Sequence, residues 1–304
     1  MAPLSPLALF LASGLAYHGH RKKSLSPSGS VTAFVVGYLM LSSTIWTFGV
    51  LLIAFYLIGS RATKFGKATK RRLESAYHEY GYRTGWQVIS NSFSALVACV
   101  LWNAIYAPDS LPGWVFGSLL SFPPTLSRPL LLLALGHFAC CLGDTLASEL
   151  GILAKGKPSL LSRLSFLTPV PPGTNGALSF PGTAASLAGG AIMGFVMGVV
   201  LIVENGVCRR DAFGVIFELI TIGGLCGFGG SLLDSILGAT LQETRYDADR
   251  KVVISDGEGQ AEVSGGTEDL LENKANAHRS QPPPPTSSDS RFCLTTRSMW
   301  SAAC

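Results

Sequence analysis

The chain has 304 residues, 48% of them hydrophobic and only 14% charged, with a mean hydropathy of +0.37. A soluble domain carries roughly 25% charge, so this composition excludes an ordinary soluble protein and selects an integral membrane one. The net charge of +4 is modest and no nucleic-acid partner is expected, but the distribution of the charge is uneven along the chain.

The first apolar run, 4–17, precedes His18, His20 and Arg21-Lys22-Lys23. A cleavable signal peptide places its positive charge before the apolar run, so this segment reads as a retained first helix. Further apolar runs fall at 31–59, 86–107, 129–147, 184–203 and 212–240. The run at 31–59 exceeds a single span of about 20 residues, and Ser42-Ser43-Thr44 near its middle predicts a hairpin of two short helices. The stretch 113–122, flanked by Pro112 and Pro123-Pro124, is too short to cross and reads as interfacial or re-entrant. The 34 glycines suit close helix packing in a membrane. Cys99, Cys140, Cys141, Cys208 and Cys226 lie in or beside apolar runs without metal-ligand spacing, as small buried hydrophobes rather than a disulfide framework.

Loop charge orients these runs. The loops at 18–30, 60–84 and 150–182 hold most of the Lys and Arg, whereas the other side keeps Arg128, Arg209 and Arg210. The positive-inside rule makes the first side cytoplasmic. The expected fold is therefore all-α, a polytopic bundle of about seven transmembrane helices over 1–245, with the N-terminus outside. Residues 246–304, rich in Asp, Glu, Ser, Gly and Pro, read as a disordered cytoplasmic tail.

Chemistry is expected where charge meets these apolar runs. Asp144 and Glu149 close the run at 129–147, and Asp234 interrupts the run at 212–240. A charge at a membrane-helix centre costs at least roughly 2.5–3.5 kcal/mol, so such carboxylates are functional candidates. On a regular helix Asp144 and Ser148 share a face, while Glu149 lies about 140° from Asp144. Both acids line one site only if the helix breaks or ends within the motif. Paired carboxylates at a membrane surface suit a divalent cation, and hard oxygen ligands suit Mg2+. The plainer alternative is a helix end at headgroup depth. Gly230, Asp234 and Gly238 recur every four residues, a small-residue face that packs closely on another helix around a single acid. The turn Thr174-Asn175-Gly176 favours a positive φ and an anion-binding arrangement of backbone N–H groups, close to a helix start near Gly182-Thr183; its alternative is a structural turn. The basic stretch from Arg61 to Lys67 does not match G-x-x-x-x-G-K-[ST], and lipid headgroups suit most of its charge. Arg61 and Lys64, nearest the helix end, are the exceptions and stand as candidate phosphate ligands.

RKKSLSPSG (21–29), SRATKFGKATKRRL (60–73), GDTLASELG (143–151), VPPGTNGALS (170–179) and GGSLLDSILGATLQ (229–242) together resemble the transmembrane protein 19 family of integral membrane proteins, over about 15–245. That family includes a plant phytyl phosphate kinase. The resemblance implies phosphoryl transfer from CTP or ATP to an isoprenyl monophosphate dissolved in the bilayer. Mg2+ would sit on Asp144, Glu149 and Asp234, and Asp144, Asp234 and Lys64 would carry catalysis. Arg61, Thr174, Asn175 and Gly176 would hold phosphate. GD-x-x-x-SE followed by a Pro-Gly-rich loop also resembles membrane cytidylyltransferases, as an analogy only. Members of the family usually continue into a final membrane helix, and here the likeness fades after about Asn273, which reads as a truncated or alternative C-terminus. The expected location is the endoplasmic reticulum or another endomembrane. A transporter or a non-enzymatic scaffold is the alternative function; transporter acids usually lie near the midplane within internal repeats, and no repeat is evident.

Overall fold

The computed structural model describes residues 5–66, 82–116, 124–153, 156, 158–161, 166–170, 174, 176–241, 244–247, 252–254 and 292–294. Its helices are α1 (Pro6–Arg21), α2 (Pro27–Leu41), α3 (Thr47–Ala62), α4 (Gly85–Ser90), α5 (Phe93–Tyr106), α6 (Leu111–Phe116), α7 (Ser127–Gly151), α8 (Phe180–Glu204), α9 (Gly206–Arg210) and α10 (Ala212–Leu241). Three of these starts are legible in the sequence. Ser5, Ser26 and Ser179 each accept an N–H of the first turn, and Pro6, Pro27 and Pro181 follow them. Proline fits there because its missing N–H would go unpaired anyway.

The hairpin expected at Ser42-Ser43-Thr44 forms, with α2 ending at Leu41 and α3 starting at Thr47. Buried Asn103 of α5 holds the break by donating to Ser43 Oγ at 2.9 Å and accepting the Thr44 N–H at 3.2 Å. Glu204 of α8 accepts from the Trp46 N–H and, at 2.8 Å, from Thr47 Oγ1. The apolar run at 86–107, expected as one helix, instead divides into α4 and α5 at Asn91-Ser92. Ser92 Oγ donates to the Val88 and Ile89 carbonyls, at 2.8 and 3.3 Å, and so competes with the helical backbone bonds.

By length and composition α7, α8 and α10 can cross a membrane; α2, α3 and α5 are apolar but shorter, at 15, 16 and 14 residues. The expectation of an all-α chain needs one correction. Strands β1 (Ser159–Leu161), β2 (Phe166–Pro169) and β3 (Ala177–Leu178) form an antiparallel sheet, order β2-β1-β3, in the loop between α7 and α8. A loop near the membrane must pair its backbone groups internally, and a small sheet does so. Past α10, β4 (Thr244–Asp247), β5 (Val252–Ile254) and β6 (Phe292–Leu294) pair in the order β5-β4-β6. Apart from these strands, the expected tail and its C-terminus lie outside the described residues, as does most of the stretch 113–122, of which α6 covers the start.

The three long helices pack against each other in a closed triangle. Glycines set its dimensions. A Cβ on Gly143 of α7 would fall 2.7 Å from Gly227 Cα of α10 and 2.9 Å from the Ser186 carbonyl of α8. One on Gly227 would fall 2.6 Å from the same carbonyl, and Gly190 of α8 meets the Gly223 carbonyl. Lipid tails are as apolar as leucine, so such close backbone packing is what drives association inside a bilayer. α3 and α5 pack on α7, α2 joins α3 to α1 and α4, and Phe48, Phe138, Leu135 and Met193 are fully buried between them. Outward, Phe213, Phe217, Leu225 and Leu233 of α10 and Phe195 of α8 are exposed. Most of the apolar surface of α10 thus faces outward, as suits a helix surrounded by lipid.

The two ends of the bundle differ. At one, Ser26 N donates to the Arg83 carbonyl at 2.9 Å and Arg83 N to the Ser24 carbonyl at 3.0 Å, which joins the loops at 18–30 and 60–84. Gly66, at φ 70°, packs its backbone on the Leu153 side chain and joins the loop at 60–84 to the one at 150–182. The other end gathers the hairpin at 42–46, Glu204, the Arg128–Glu218 ion pair and Arg209, whose guanidinium donates to the Ile202 and Val203 carbonyls at the end of α8.

The glycine seam predicts a position-specific response. Gly227→Val should cost about 1–3 kcal/mol by overpacking and lower the thermal midpoint of the detergent-solubilised protein. Gly229→Val, two residues along on the same helix where a Cβ meets nothing within 4 Å, should leave it nearly unchanged. Differential scanning fluorimetry of both variants checks the contrast.

Candidate functional site

Asp144 follows Gly143, the point where α7 touches α10. Asp234 lies seven residues beyond Gly227 on α10, about two turns toward the same basic end. There the helices part around a cleft of about 470 Å3 that both carboxylates line, and the charge of Asp234 acts on Asp144. Thus two acids 90 positions apart in the chain face one space because the glycine seam fixes the rotation of both helices.

The third acid does not join them. α7 runs unbroken to Gly151, so Glu149 stays about 140° around the helix from Asp144. It does not line the cleft, and its charge acts on Arg83. Burial pushes the Arg83 guanidinium below its usual value, while Tyr56 and Glu149 pull it back up. Arg83 also donates to Ser60 Oγ at 3.3 Å.

The turn ahead of α8 closes the cleft from above. Thr174 and Gly176 both line it; Ala177 N donates to the Thr174 carbonyl at 3.1 Å, and Gly176 has φ 75°. No other residue fits at Gly176, because the left-handed backbone is strained for a side chain and a Cβ would strike Ser235 O and Ala239 N of α10. Asn175 lies outside the described residues. α8 begins against the same space: Ser179 accepts the Gly182 N–H at 3.2 Å and reaches the Gly151 carbonyl of α7 at 3.4 Å. The positive end of a 25-residue helix thus faces the cleft and favours an anion.

Arg61 and Lys64 are at the same end, in the last turn of α3 and just beyond it, but neither lines the cleft. Hydroxyls also line it: Thr183, expected at the helix start, and, not singled out from the sequence, the cap Ser179, Ser186 of α8, and Ser231 and Ser235 of α10. Their signal is Ser or Thr at helical spacing on the face that carries an acid or begins at a cap. Ser148, four residues from Asp144, shows the same pattern.

Among the described residues no three His, Cys, Asp or Glu gather around one point. The pair Asp144 and Asp234 with the surrounding hydroxyls is nevertheless a hard, oxygen-only set. Mg2+ is commonly held by one or two carboxylates, its remaining positions taken by water and substrate phosphate, and the residues present fit that pattern. Ile152, Phe228 and Leu232 give the same cleft an apolar wall. The arrangement can therefore hold a cation, an anion and a hydrocarbon chain together.

The chain is 34% identical to Protein PGR of Arabidopsis thaliana over 88% of both chains. It is 31% identical to the uncharacterized membrane protein sll0875 of Synechocystis over 73% of both. To Protein VTE6, chloroplastic, of Arabidopsis thaliana it is 30% identical, over 72% of this chain and 57% of that one. No solved structure matches it. Residues 10–279 match the family described as integral membrane protein DUF92, and the chain belongs to that family.

Proposed function

We propose that this protein is an integral membrane phosphotransferase that moves the γ-phosphoryl group of CTP or ATP onto an isoprenyl monophosphate. The observation that carries the reading is the shared lining of one cleft by Asp144, Asp234, the positive start of α8 and an apolar wall. The resemblance of the sequence motifs to a family with a phytyl phosphate kinase supports the same chemistry. In this reading the bundle crosses the membrane seven times and the basic end is cytoplasmic, where nucleotides are found. An endomembrane location gains no support from these relatives, one of which is chloroplastic by name.

Among the described residues the cleft lining holds no His or Lys, and the acceptor needs no base. A phosphate monoester has its second pKa near 6 and is mostly dianionic at neutral pH, so it needs no base to become a nucleophile. The obstacle is repulsion between two phosphate groups. Mg2+ held by Asp144 and Asp234 would supply the charge neutralisation. The Thr174 and Gly176 turn, Ser179 and Thr183 orient phosphate oxygens, and the α8 start adds positive potential that is already in place. Ile152, Phe228 and Leu232 hold the first part of the isoprenyl chain. Arg61 and Lys64 raise the local concentration of nucleotide from outside the cleft. Transfer yields the isoprenyl diphosphate and the nucleoside diphosphate. A transporter reading is less well supported, because both acids lie near one end of the bundle rather than at its middle.

Two measurements follow. Purified protein incubated with radiolabelled nucleotide, Mg2+ and isoprenyl phosphates should form labelled diphosphate. Asp144→Ala and Asp234→Asn should each lower kcat/KM by about 100-fold or more, and Glu149→Gln by only a few-fold. Full activity in Asp144→Ala would overturn the assignment. Separately, Asp234→Asn removes repulsion between like charges, so in EDTA its thermal midpoint should equal or exceed that of the wild type. Added Mg2+ should stabilise the wild type and Glu149→Gln but not Asp234→Asn; an unchanged Mg2+ response in Asp234→Asn would exclude this residue as a ligand.

A further inference from the structure

The packing around the acid-pair cleft differs on the two flanks of α10. α8 and α10 meet at Ser186 and Gly227, and one turn deeper a Cβ on Gly224 would lie 3.4 Å from the Leu187 side chain. From there toward the basic end α8 follows α7 instead: a Cβ on Gly182 would fall 3.0 Å from the Ala147 carbonyl and 3.3 Å from Gly151 Cα. α10 departs from α8, and Thr183, Ser231, Leu232 and Ser235 line the gap between them. The turn at Thr174 and Gly176 bridges its top, where Gly176 rests on Ser235 and Ala239. On its other flank α10 stays against α7 one turn further, to Gly230, where a Cβ would strike the Cys140 side chain.

Phe228 stands at the inner corner of the gap between α8 and α10. It lines the cleft and is also 37% exposed. With Leu232, one turn on, it occupies the flank of α10 toward α8, while Asp234 is about 120° away on the flank toward α7. Phe228 also lies about 9 Å deeper along α10 than Asp234, within the apolar span, so its outer edge meets lipid chains rather than water. The described surface beyond it is apolar and exposed: Ala184 and Leu187 on α8 and Leu225 on α10. Lipid tails are as apolar as leucine, so an isoprenyl chain gains little by leaving the bilayer entirely for a protein pocket. A gap that holds the phosphate and the first units and leaves the rest in lipid meets that condition.

We propose that the gap between α8 and α10 is a lateral gate: the isoprenyl chain runs from the acid pair between Thr183 and Leu232, over Phe228, and into the bilayer beside Leu187. The inference rests on the lipid-phosphate reading of the cleft and adds the route of the chain and the residue that grips it. Nucleotide reaches the acids from the basic end and the lipid reaches them from the side, so neither blocks the other. Only the units near Phe228 touch the protein, and the gate therefore sets no upper limit on chain length.

The test uses the full chain in phosphatidylcholine nanodiscs and phytyl monophosphate bearing a photoreactive diazirine in its second isoprene unit. After photolysis, peptide mass spectrometry should place the label on Phe228, on Leu232 or on the turn from Ala184 to Leu187. Undecaprenyl monophosphate, a far longer chain, should compete for labelling within about threefold of unlabelled phytyl monophosphate. Phe228→Ala should need about tenfold more probe for half-maximal labelling, and should raise KM for the isoprenyl phosphate by a similar factor with kcat and the nucleotide KM little changed. Leu233→Ala, exposed on the same helix outside the cleft lining, should change none of these. Labelling needs no turnover, so a protein that labels at these residues but transfers no phosphoryl group keeps the gate and loses only the reaction. Label on the α7 flank at Cys141 or Thr145, no label at all, failure of undecaprenyl monophosphate to compete, or undiminished labelling in Phe228→Ala would overturn the gate.

Discussion

The contact on which the rest of this structure depends is the meeting of three helix backbones at Gly143, Gly190 and Gly227. Within a bilayer no hydrophobic force brings apolar helices together, because lipid serves them as well as protein does. What remains is van der Waals contact, which falls steeply with distance. Glycine at the crossing lets carbonyls and α-carbons touch directly. It also leaves each helix one permitted rotation about its axis, since any other would put a side chain where a backbone now lies.

That fixed rotation is what makes the site. Asp144 sits one residue past the seam on α7 and Asp234 two turns past it on α10, so both reach the cleft where the helices part. Ser231 and Ser235 line the cleft beside Asp234, while Ser179, Thr183 and Ser186 come from the cap and first turns of α8. The same rotation sends Glu149 the other way, toward Arg83. One helix thus presents Asp144 to the cleft and Glu149 to Arg83 on different faces.

The ends of the bundle use charge in different ways. At the hairpin end, Glu204, Arg128, Glu218 and Arg209 are committed to helix ends and to each other. At the other end most cations lie in loops that meet through Arg83 and Leu153. Structural pairing holds the first surface together, while the sequence concentrates its positive charge at the second.

Much of the fold was legible in the residues themselves. Helix starts at Ser5-Pro6, Ser26-Pro27 and Ser179, the break at Ser42-Ser43-Thr44 and the positive φ at Gly176 all follow from local backbone chemistry. The split at Ser92 was harder to see, because its hydroxyl competes for bonds inside a run that is apolar throughout. In the candidate site, the acids and the Thr174 to Gly176 turn stood out by type and position. Apart from Ser148 and Thr183 the hydroxyls did not, since serine and threonine are common on membrane helices and only proximity to an acid marks them. By itself the sequence determined the membrane class, the apolar runs and the costly carboxylates, because composition and short-range backbone chemistry are properties of the chain. Only the tertiary structure decided that Asp144 and Asp234 face one another's cleft, that Glu149 faces away and that Arg61 and Lys64 remain outside. The faces of helices distant in sequence are matched by close packing, and packing is a property of the assembled bundle.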